Sequence, residues 1–279
     1  MHRINYIVTC FLGDRRIKSV GSPEKFVRTH IEYLRDNVIP IERLTLVLNT
    51  DSGEEAKRFL EIVDEYRPYY RELKVVVRPN TGFSYAAWND ALNQSVENRE
   101  GFSHHMLIED DYIPARPDFL DVLLSKMDPD VGYVCQKLSH EALSGLFNTQ
   151  IHAGISNGLL LAEAAYKAYD TYGSVLTMYE HDGAEYDWNS LQLQIHFLDF
   201  ITESGYTITD PADISSVPFL HNFDAARGSN TLLSKSNDKA YQAAKERGWF
   251  LMEWANPNAP RLIEPIIDWE MFSPIGGTQ

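Results

Sequence analysis

The chain has 279 residues, with 25 Lys and Arg against 40 Asp and Glu, which gives a formal net charge of −15. At roughly 150 residues per domain, this length predicts one large domain or two small ones. The 44% hydrophobic content can build a sizeable core and excludes wholesale disorder. The acidic balance argues against nucleic acid or an anionic membrane surface as a partner, because both recruit basic side chains.

Membrane and secretory signals are missing from the sequence pattern. No stretch approaches the ~20 consecutive apolar residues of a spanning helix. The first residues lead directly into a strand pattern, without the basic start and long apolar run of a signal peptide. Cys10 and Cys135 each lie in an apolar stretch, which is typical of buried, reduced thiols. We therefore expect a cytoplasmic protein with no membrane span.

The amino-terminal part of the chain, as far as Asp110, alternates apolar strand patterns with amphipathic helix patterns. Ser22-Pro23 is a good N-cap and first-turn pair, so a helix is expected to begin there. Continuous apolar strands separated by helices predict a parallel sheet that is covered on both faces. In chain order, we predict strand 4–11, a helix from Pro23, strand 44–48, helix 54–66, strand 73–77, helix 83–95 and strand 105–108.

The rest of the chain is less regular. A helical pattern near 188–204 is the clearest of this half, and Gly205 ends it. The C-terminal segment 250–279 holds four prolines and predicts an irregular, tryptophan-containing extension. The other predicted elements are helix 118–127, strands 131–135 and 158–161, and helices 162–172 and 238–247.

Three acids, Glu109-Asp110-Asp111, follow directly on the fourth predicted strand. In an open α/β sheet, ligands bind at the carboxyl ends of the strands. Carboxylates there suit a hard divalent cation, which would also relieve the repulsion between neighbouring charges. The alternative is a solvated acidic turn that ends at Pro114.

The segment 78–95 joins the third strand to a helix through Asn80 and Gly82. Gly82 permits a tight turn or a close approach to a ligand, and the helix start can attract an anion. An ordinary strand-to-helix turn with Asn80 as the cap is the alternative.

The order of these two features resembles the GT-A fold, nucleotide-sugar-dependent glycosyltransferases of the large family 2. Residues 80–89 match the N-x-G…N segment of that family, and 109–111 look like an EDD version of its DXD motif. The likeness covers roughly residues 4–223. One departure is Trp88, which stands where many members have a basic residue.

The resemblance implies an α/β, GT-A fold with a mostly parallel central sheet flanked by helices. It implies a catalytic domain over residues 1–230, with a donor-binding half at about 1–115 and an acceptor half at about 116–230. Residues 231–279 would then form a C-terminal helix and a Trp/Pro-rich extension that packs on this domain.

The same resemblance implies a donor site. The loop from Phe11 should lie near the nucleotide base, and Arg15 is either a phosphate contact or a solvated cation. Asn49 and Asp51 follow the second strand, where members hold the base or ribose, although Asp51 is equally well placed as a turn residue.

Asn80 and Gly82 complete the expected nucleotide contacts. In relatives with an EDD triplet the last acid contacts the metal, so Asp111 is the expected ligand of Mn²⁺ or Mg²⁺. Glu109 and Asp110 would lie toward the sugar and ribose.

The acceptor side is implied by two later segments. Asn157-Gly158 fits the small-residue floor under the donor sugar and acceptor, and Trp188 lies beside the expected acceptor site. Inverting relatives place a general base near the start of the helix at 188. Asp187 is our first candidate and Glu185 the second, but Asp187 also makes a good helix N-cap.

Two residues of the segment 218–230 are candidates for the metal and the diphosphate. His221 stands where relatives carry a histidine that can complete a metal site with Asp111. Arg227 could clamp the diphosphate. A surface histidine and a surface arginine are the alternatives.

The function so implied is metal-dependent transfer of a sugar from a nucleoside-diphosphate sugar, most simply a UDP-sugar, to a glycan or other hydroxyl acceptor with inversion. A retaining transferase on the same fold and a non-catalytic nucleotide- or glycan-binding protein are the alternatives. A sugar-nucleotide pyrophosphorylase is less favoured, because only Gly13 stands where that class has a glycine-rich, basic loop.

Overall fold

The computed structural model describes residues 2–13, 23–110, 112–114, 117–139, 153–175, 201–211 and 219–221. Within them the strands are β1 Ile4–Cys10, β2 Arg43–Asn49, β3 Leu73–Arg78, β4 His104–Glu109, β5 Tyr112–Pro114, β6 Val131–Ser139, β7 Ala153–Leu161, β8 Thr207–Thr209 and β9 Phe219–His221. The helices are α1 Pro23–Asp36, α2 Gly53–Tyr66, α3 Phe83–Glu97, α4 Phe119–Leu124 and α5 Ala162–Tyr172, with a 3₁₀ turn at Arg67–Tyr69.

Seven of these strands form one sheet in the order β3-β2-β1-β4-β7-β6-β8. The pairs β3-β2, β2-β1, β1-β4 and β6-β8 are parallel, and β7 runs antiparallel to both of its neighbours. The predicted fold class, α/β with a mostly parallel central sheet flanked by helices, is confirmed. A separate ribbon pairs β5 with β9.

The inner strands β1 and β2 are buried on both sides because helices cover each face of the sheet there, whereas the edge strand β3 is only partly buried. Alternate residues of β1 separate the two layers: Tyr6 packs with apolar residues of α1, α2 and α4, while Ile7 packs with those of α3 and α5. All seven residues of β1 and of β2 are buried. The sheet therefore leaves its strand ends, not its faces, for a ligand.

Helix starts follow the local sequence. Pro23 is the first residue of α1, as predicted. At α2 the Ser52 hydroxyl accepts from the Glu55 N–H at 3.3 Å, which gives this helix a capped first turn. The described part of the predicted helix 188–204 is helical at 201–203, and Gly205 follows it with φ of 83°.

The predicted boundary near residue 230 and the predicted helix 238–247 lie outside the described residues. Among the described helices, none combines the length and the apolar character that crossing a membrane requires.

Candidate functional site

The direction of the chain connections reverses between β1 and β4. From β1 the chain proceeds to β2 and β3 on one side, and then returns to β4 on the other side of β1. Such a reversal opens a crevice at the carboxyl ends of the two strands, where ligands of α/β proteins bind. Phe11 follows β1 there, and Glu109 ends β4, so two of the predicted donor contacts border this crevice.

Asp110 joins the two strands across the crevice. Its side chain is buried, and Oδ2 accepts a hydrogen bond from the Phe11 N–H at 3.1 Å. The role of Asp110 toward the sugar and ribose stays a prediction, and its carboxylate has a partner within the protein.

Glu109 is fixed from two sides. Its N–H donates to the Asn157 side-chain oxygen at 2.7 Å, and its carboxylate accepts from the Ser84 hydroxyl of α3. The charge of Glu109 also adds to burial in raising the pKa of Tyr133 on β6, with burial the larger cause. The end of β4 is thus oriented by groups from α3 and β7.

Asn157 and Gly158, for which an acceptor role was predicted, also have structural roles in the sheet. The β4-β7 ladder is last paired at Leu107 and Gly158, and the buried Asn157 extends it by one side-chain bond. A Cβ at Gly158 would lie 2.3 Å from the Val134 carbonyl oxygen on β6. The glycine is therefore required by the close approach of β6 and β7.

The carboxyl ends of β2 and β3 form the neighbouring wall of the crevice. Asp51 is exposed, and its Oδ1 accepts from the Asn80 N–H at 3.2 Å, which ties the two loops together. Gly82 has φ of 69° directly before α3, so the glycine is explained by a left-handed turn.

Arg78 organises this wall, and the sequence patterns did not single it out. Its Nε donates to Asp90 Oδ2 at 2.6 Å, and Nη1 donates to Asn49 Oδ1 at 2.6 Å and to the Thr81 carbonyl at 3.0 Å. The Arg78 side chain is only 9% exposed. Its position at the carboxyl end of a strand was the available signal.

Trp88 does not take the place of a basic donor contact at the surface. It is buried on the sheet-facing side of α3, and its indole N–H donates to the Ile108 carbonyl at 3.4 Å. The side chain packs edge-on against Tyr85 with ring centroids 5.2 Å apart. It therefore supports the strand that ends in the acidic triplet.

The β5-β9 ribbon returns a distant part of the chain to the triplet. Tyr112 pairs with His221 in an antiparallel ladder, although the two residues are far apart in the sequence. Residues directly opposite in such a ladder have Cα atoms about 4.5–5.5 Å apart. The backbone of His221 thus lies opposite the residue that follows Asp111.

Several predicted site residues lie outside the described residues: Arg15, Asp111, Glu185, Asp187, Trp188 and Arg227. Within the described ranges, no group of three or more His, Cys, Asp or Glu side chains could hold a metal ion. The donor chemistry at the end of β4 is nonetheless suitable, because Mn²⁺ and Mg²⁺ prefer carboxylate oxygens. The predicted metal site depends on Asp111.

Comparison with known proteins gives a fold-level likeness only. No protein-family model and no curated protein sequence matches the chain. Among solved structures it is similar to HddC from Yersinia pseudotuberculosis, at 16% identity and a TM-score of 0.39 over 75% of this chain and 89% of that one.

Two further structures align over the same share of this chain. One is 4-diphosphocytidyl-2C-methyl-D-erythritol synthase from Anaerococcus prevotii, at 10% identity, 86% coverage of that chain and a TM-score of 0.43. The other is a protein from Desulfovibrio desulfuricans described as a nucleotide-diphospho-sugar transferase, at 9% identity, 80% coverage of that chain and a TM-score of 0.43. Likeness at this level carries no conclusion about the reaction of this chain.

Proposed function

We propose that the chain is a metal-dependent glycosyltransferase that moves a sugar from a nucleoside-diphosphate sugar, most simply a UDP-sugar, to a hydroxyl acceptor with inversion. The observation that carries the proposal is the β5-β9 pairing. It returns the backbone of His221 to the acidic triplet, at a crevice where the strand order reverses. Acids and a histidine at such a crevice fit a site for a cation and a diphosphate.

Each part of the crevice has a proposed task. The loops after β1 and β2 would hold the base and ribose, with Asp51 as an acceptor for an N–H or hydroxyl group. Glu109 would face the sugar, and Asp111 with His221 would hold the metal. A bound Mn²⁺ or Mg²⁺ would supply charge neutralisation for the departing diphosphate.

The proton of the acceptor hydroxyl must also be removed. We assign that step to Asp187, whose position before a predicted helix resembles that of the base in inverting relatives. Direct displacement then forms the new glycosidic bond while the bond to the diphosphate breaks, so the nucleoside diphosphate leaves with inversion at the sugar carbon.

Nucleotidyl transfer is a separate reaction of sugar nucleotides, and its products differ. A nucleotidyltransferase releases pyrophosphate from a nucleoside triphosphate, whereas the proposed reaction releases a nucleoside diphosphate from a nucleotide sugar. Phosphorus NMR of the products separates the two directly. Pyrophosphate release would replace the proposal, and a protein that binds nucleotides but turns over neither class of substrate would be a binding protein.

Nucleotide-dependent stabilisation tests the site before any acceptor is known. Unfolding temperatures should rise with uridine diphosphate plus Mn²⁺, because binding to the folded state adds about 2.7 kcal/mol at a hundredfold excess over the dissociation constant. EDTA should remove most of the rise. Asp111→Asn should do the same with Mn²⁺ present and change little in its absence.

Asp128→Asn is the matched control, since Asp128 is exposed and lies just before the amino end of β6. An equal rise in wild-type protein, Asp111→Asn and EDTA-treated samples would overturn the metal assignment. Absence of any rise with uridine, guanosine, cytidine, adenosine or thymidine diphosphate would overturn the nucleotide assignment.

A further inference from the structure

The β1-β4 ladder ends in an unusual way at the crevice. The Asp110 N–H donates to the Thr9 carbonyl at 3.0 Å, which continues the parallel pairing. In a parallel ladder the next bond would run from the Phe11 N–H to the Asp110 backbone carbonyl. The Asp110 side chain takes that place instead, with 3.1 Å from the Phe11 nitrogen to Oδ2.

This side-chain bond coincides with the point where the two chains separate. Asp110 is in a turn, and Phe11 begins a segment without regular structure. A carboxylate reaches further than a backbone carbonyl, so it can keep the first residue of the loop bonded while β4 turns away. An ionised carboxylate makes such a bond charge-assisted, and therefore stronger than the backbone bond that it replaces.

The same loop is held from its other side by α2. Arg58 Nη2 donates to the Leu12 carbonyl at 3.0 Å, and its Nε lies 3.2 Å from the Glu24 carboxylate of α1. The Phe11 ring lies against Gly13, where a Cβ would come within 2.2 Å of the ring. Residues 11–13 are therefore fixed in one conformation by β4, by α2 and by their own packing.

We propose that Asp110 is a positioning residue that sets the loop after β1 for the nucleotide, and not a ligand of the sugar or ribose. Its carboxylate acts through the Phe11 N–H. The geometry supports this, because Asp110 is 2% exposed and has little surface to offer a ligand. The three acids would then have different roles: Glu109 and Asp111 would contact the ligand, and Asp110 would position the loop.

The effect of Asp110 on nucleotide binding rests on the proposed function. The hydrogen bond between the Asp110 carboxylate and the Phe11 N–H, called the tether below, does not. Two readouts on the full chain keep them apart. Hydrogen exchange of the Phe11 amide, followed by NMR without ligand, reports the tether. Calorimetric binding of uridine diphosphate with Mn²⁺ reports the consequence.

Asp110→Ala should accelerate exchange of the Phe11 amide roughly 10- to 100-fold, as expected for loss of a hydrogen bond to a charged group. It should leave the exchange rate of the Ile7 amide in β1 unchanged and weaken the binding of uridine diphosphate. Asp110→Asn keeps an acceptor oxygen without the charge, so it should rescue both readouts to within a few fold of wild type.

Arg58→Ala gives a second approach that leaves the sheet intact. It removes the bond to the Leu12 carbonyl. The affinity for uridine diphosphate should therefore fall by about 2- to 10-fold, the range for one ordinary hydrogen bond. This variant serves if Asp110→Ala does not fold.

Two results would overturn the proposal. One is a Phe11 amide that exchanges at the wild-type rate in Asp110→Ala. The other is an Asp110→Asn variant that keeps the Phe11 amide protected yet binds uridine diphosphate as weakly as Asp110→Ala, because the charge itself would then contact the ligand. Failure of the wild-type protein to bind any nucleoside diphosphate would remove the proposed function, while amide exchange would still decide the tether.

Discussion

His105 lies in a buried polar chain that crosses three strands of the sheet. The Thr45 hydroxyl donates to Asn5 Oδ1 at 2.7 Å, and Asn5 Nδ2 lies 3.4 Å from His105 Nδ1. Since the amide nitrogen is a donor, the ring nitrogen must accept, which requires a neutral imidazole. Burial lowers the pKa of His105 to about 3 from its ordinary 6.5.

Stability should therefore fall in mild acid. The unfolded chain takes up a proton at His105 below about pH 6.5, whereas the folded protein keeps it neutral until about pH 3. This contribution is complete above pH 6.5 and declines as the pH drops through that window. Between pH 7 and pH 5, His105 should cost the folded state about 2 kcal/mol.

The measurement is denaturant unfolding of wild type and His105→Gln at both pH values. The loss of unfolding free energy between pH 7 and pH 5 should shrink in His105→Gln by about the amount that this histidine contributes. An unchanged loss in His105→Gln would show that His105 is charged in the folded protein.

The sequence predicted Glu109, Asp51 and Asn80 as site residues, because each stands at the end of a strand that its apolar run made recognisable. It could not assign the partner of each side chain. Asp110 resembles its neighbours in sequence, and only the pairing of β1 with β4 explains why it turns inward to the Phe11 N–H. Arg78 was missed for the same reason, since its bond to Asn49 joins the ends of two strands and its bond to Asp90 reaches α3, contacts that the local sequence does not show.

At the scale of elements, β7 is the strand on which the sheet changes direction. It is antiparallel to β4 and to β6, and Gly158 pairs with Leu107 of β4 on one side and with Cys135 of β6 on the other. A methyl group at this position would meet backbone atoms of Val134 and Cys135, which cannot move aside as a flexible side chain could. The close contact between β6 and β7 therefore requires glycine at position 158, where a hydrogen atom takes the place of a side chain.

Gly158→Ala should destabilise the fold by about 1–3 kcal/mol, the usual cost of overpacking. Gly53→Ala is the matched control, because a Cβ at Gly53 meets nothing within 4 Å. That variant should be as stable as wild type or up to about 1 kcal/mol more stable, since alanine lowers the entropy of the unfolded chain. Chemical denaturation compares the two, and equal stabilities would contradict the packing argument.

Which elements the sequence could predict follows from how they are stabilised. β1 to β4 and α1 to α3 lie close to their predicted bounds, because each carries a regular apolar pattern of its own. The short strands β5, β8 and β9 were not predicted. Each has three residues, and β5 contains Pro114, so their pairing is set by partners far along the chain rather than by local sequence.

At the scale of the whole molecule, the proposed site must combine two parts of the chain. The described wall of the proposed donor site comes from β1 to β4, all of which precede Asp110. The β5-β9 ribbon brings His221 to the same place. A chain with a formal charge of −15 that binds an anionic diphosphate needs local cations. The proposal assigns this task to a metal and to side chains such as Arg227.

The general base is the last component that the proposal requires from the second half of the chain. Asp187 and Glu185 stand among four acids at 180–187, where repulsion would raise a carboxyl pKa toward a useful range. Asp187→Asn keeps the shape and the helix-capping ability of the side chain, since Asn and Asp cap about equally well. Its unfolding free energy should therefore match that of wild type.

Turnover should behave differently from stability in this variant. Loss of a general base lowers the rate by about 10²- to 10⁴-fold, so Asp187→Asn should lose transfer while it still binds uridine diphosphate with Mn²⁺. Glu185→Gln, two positions earlier, is the control and should stay active. An inactive Glu185→Gln beside an active Asp187→Asn would move the base to Glu185. Full activity in both would contradict the inverting mechanism and favour retention, which needs no base at this position.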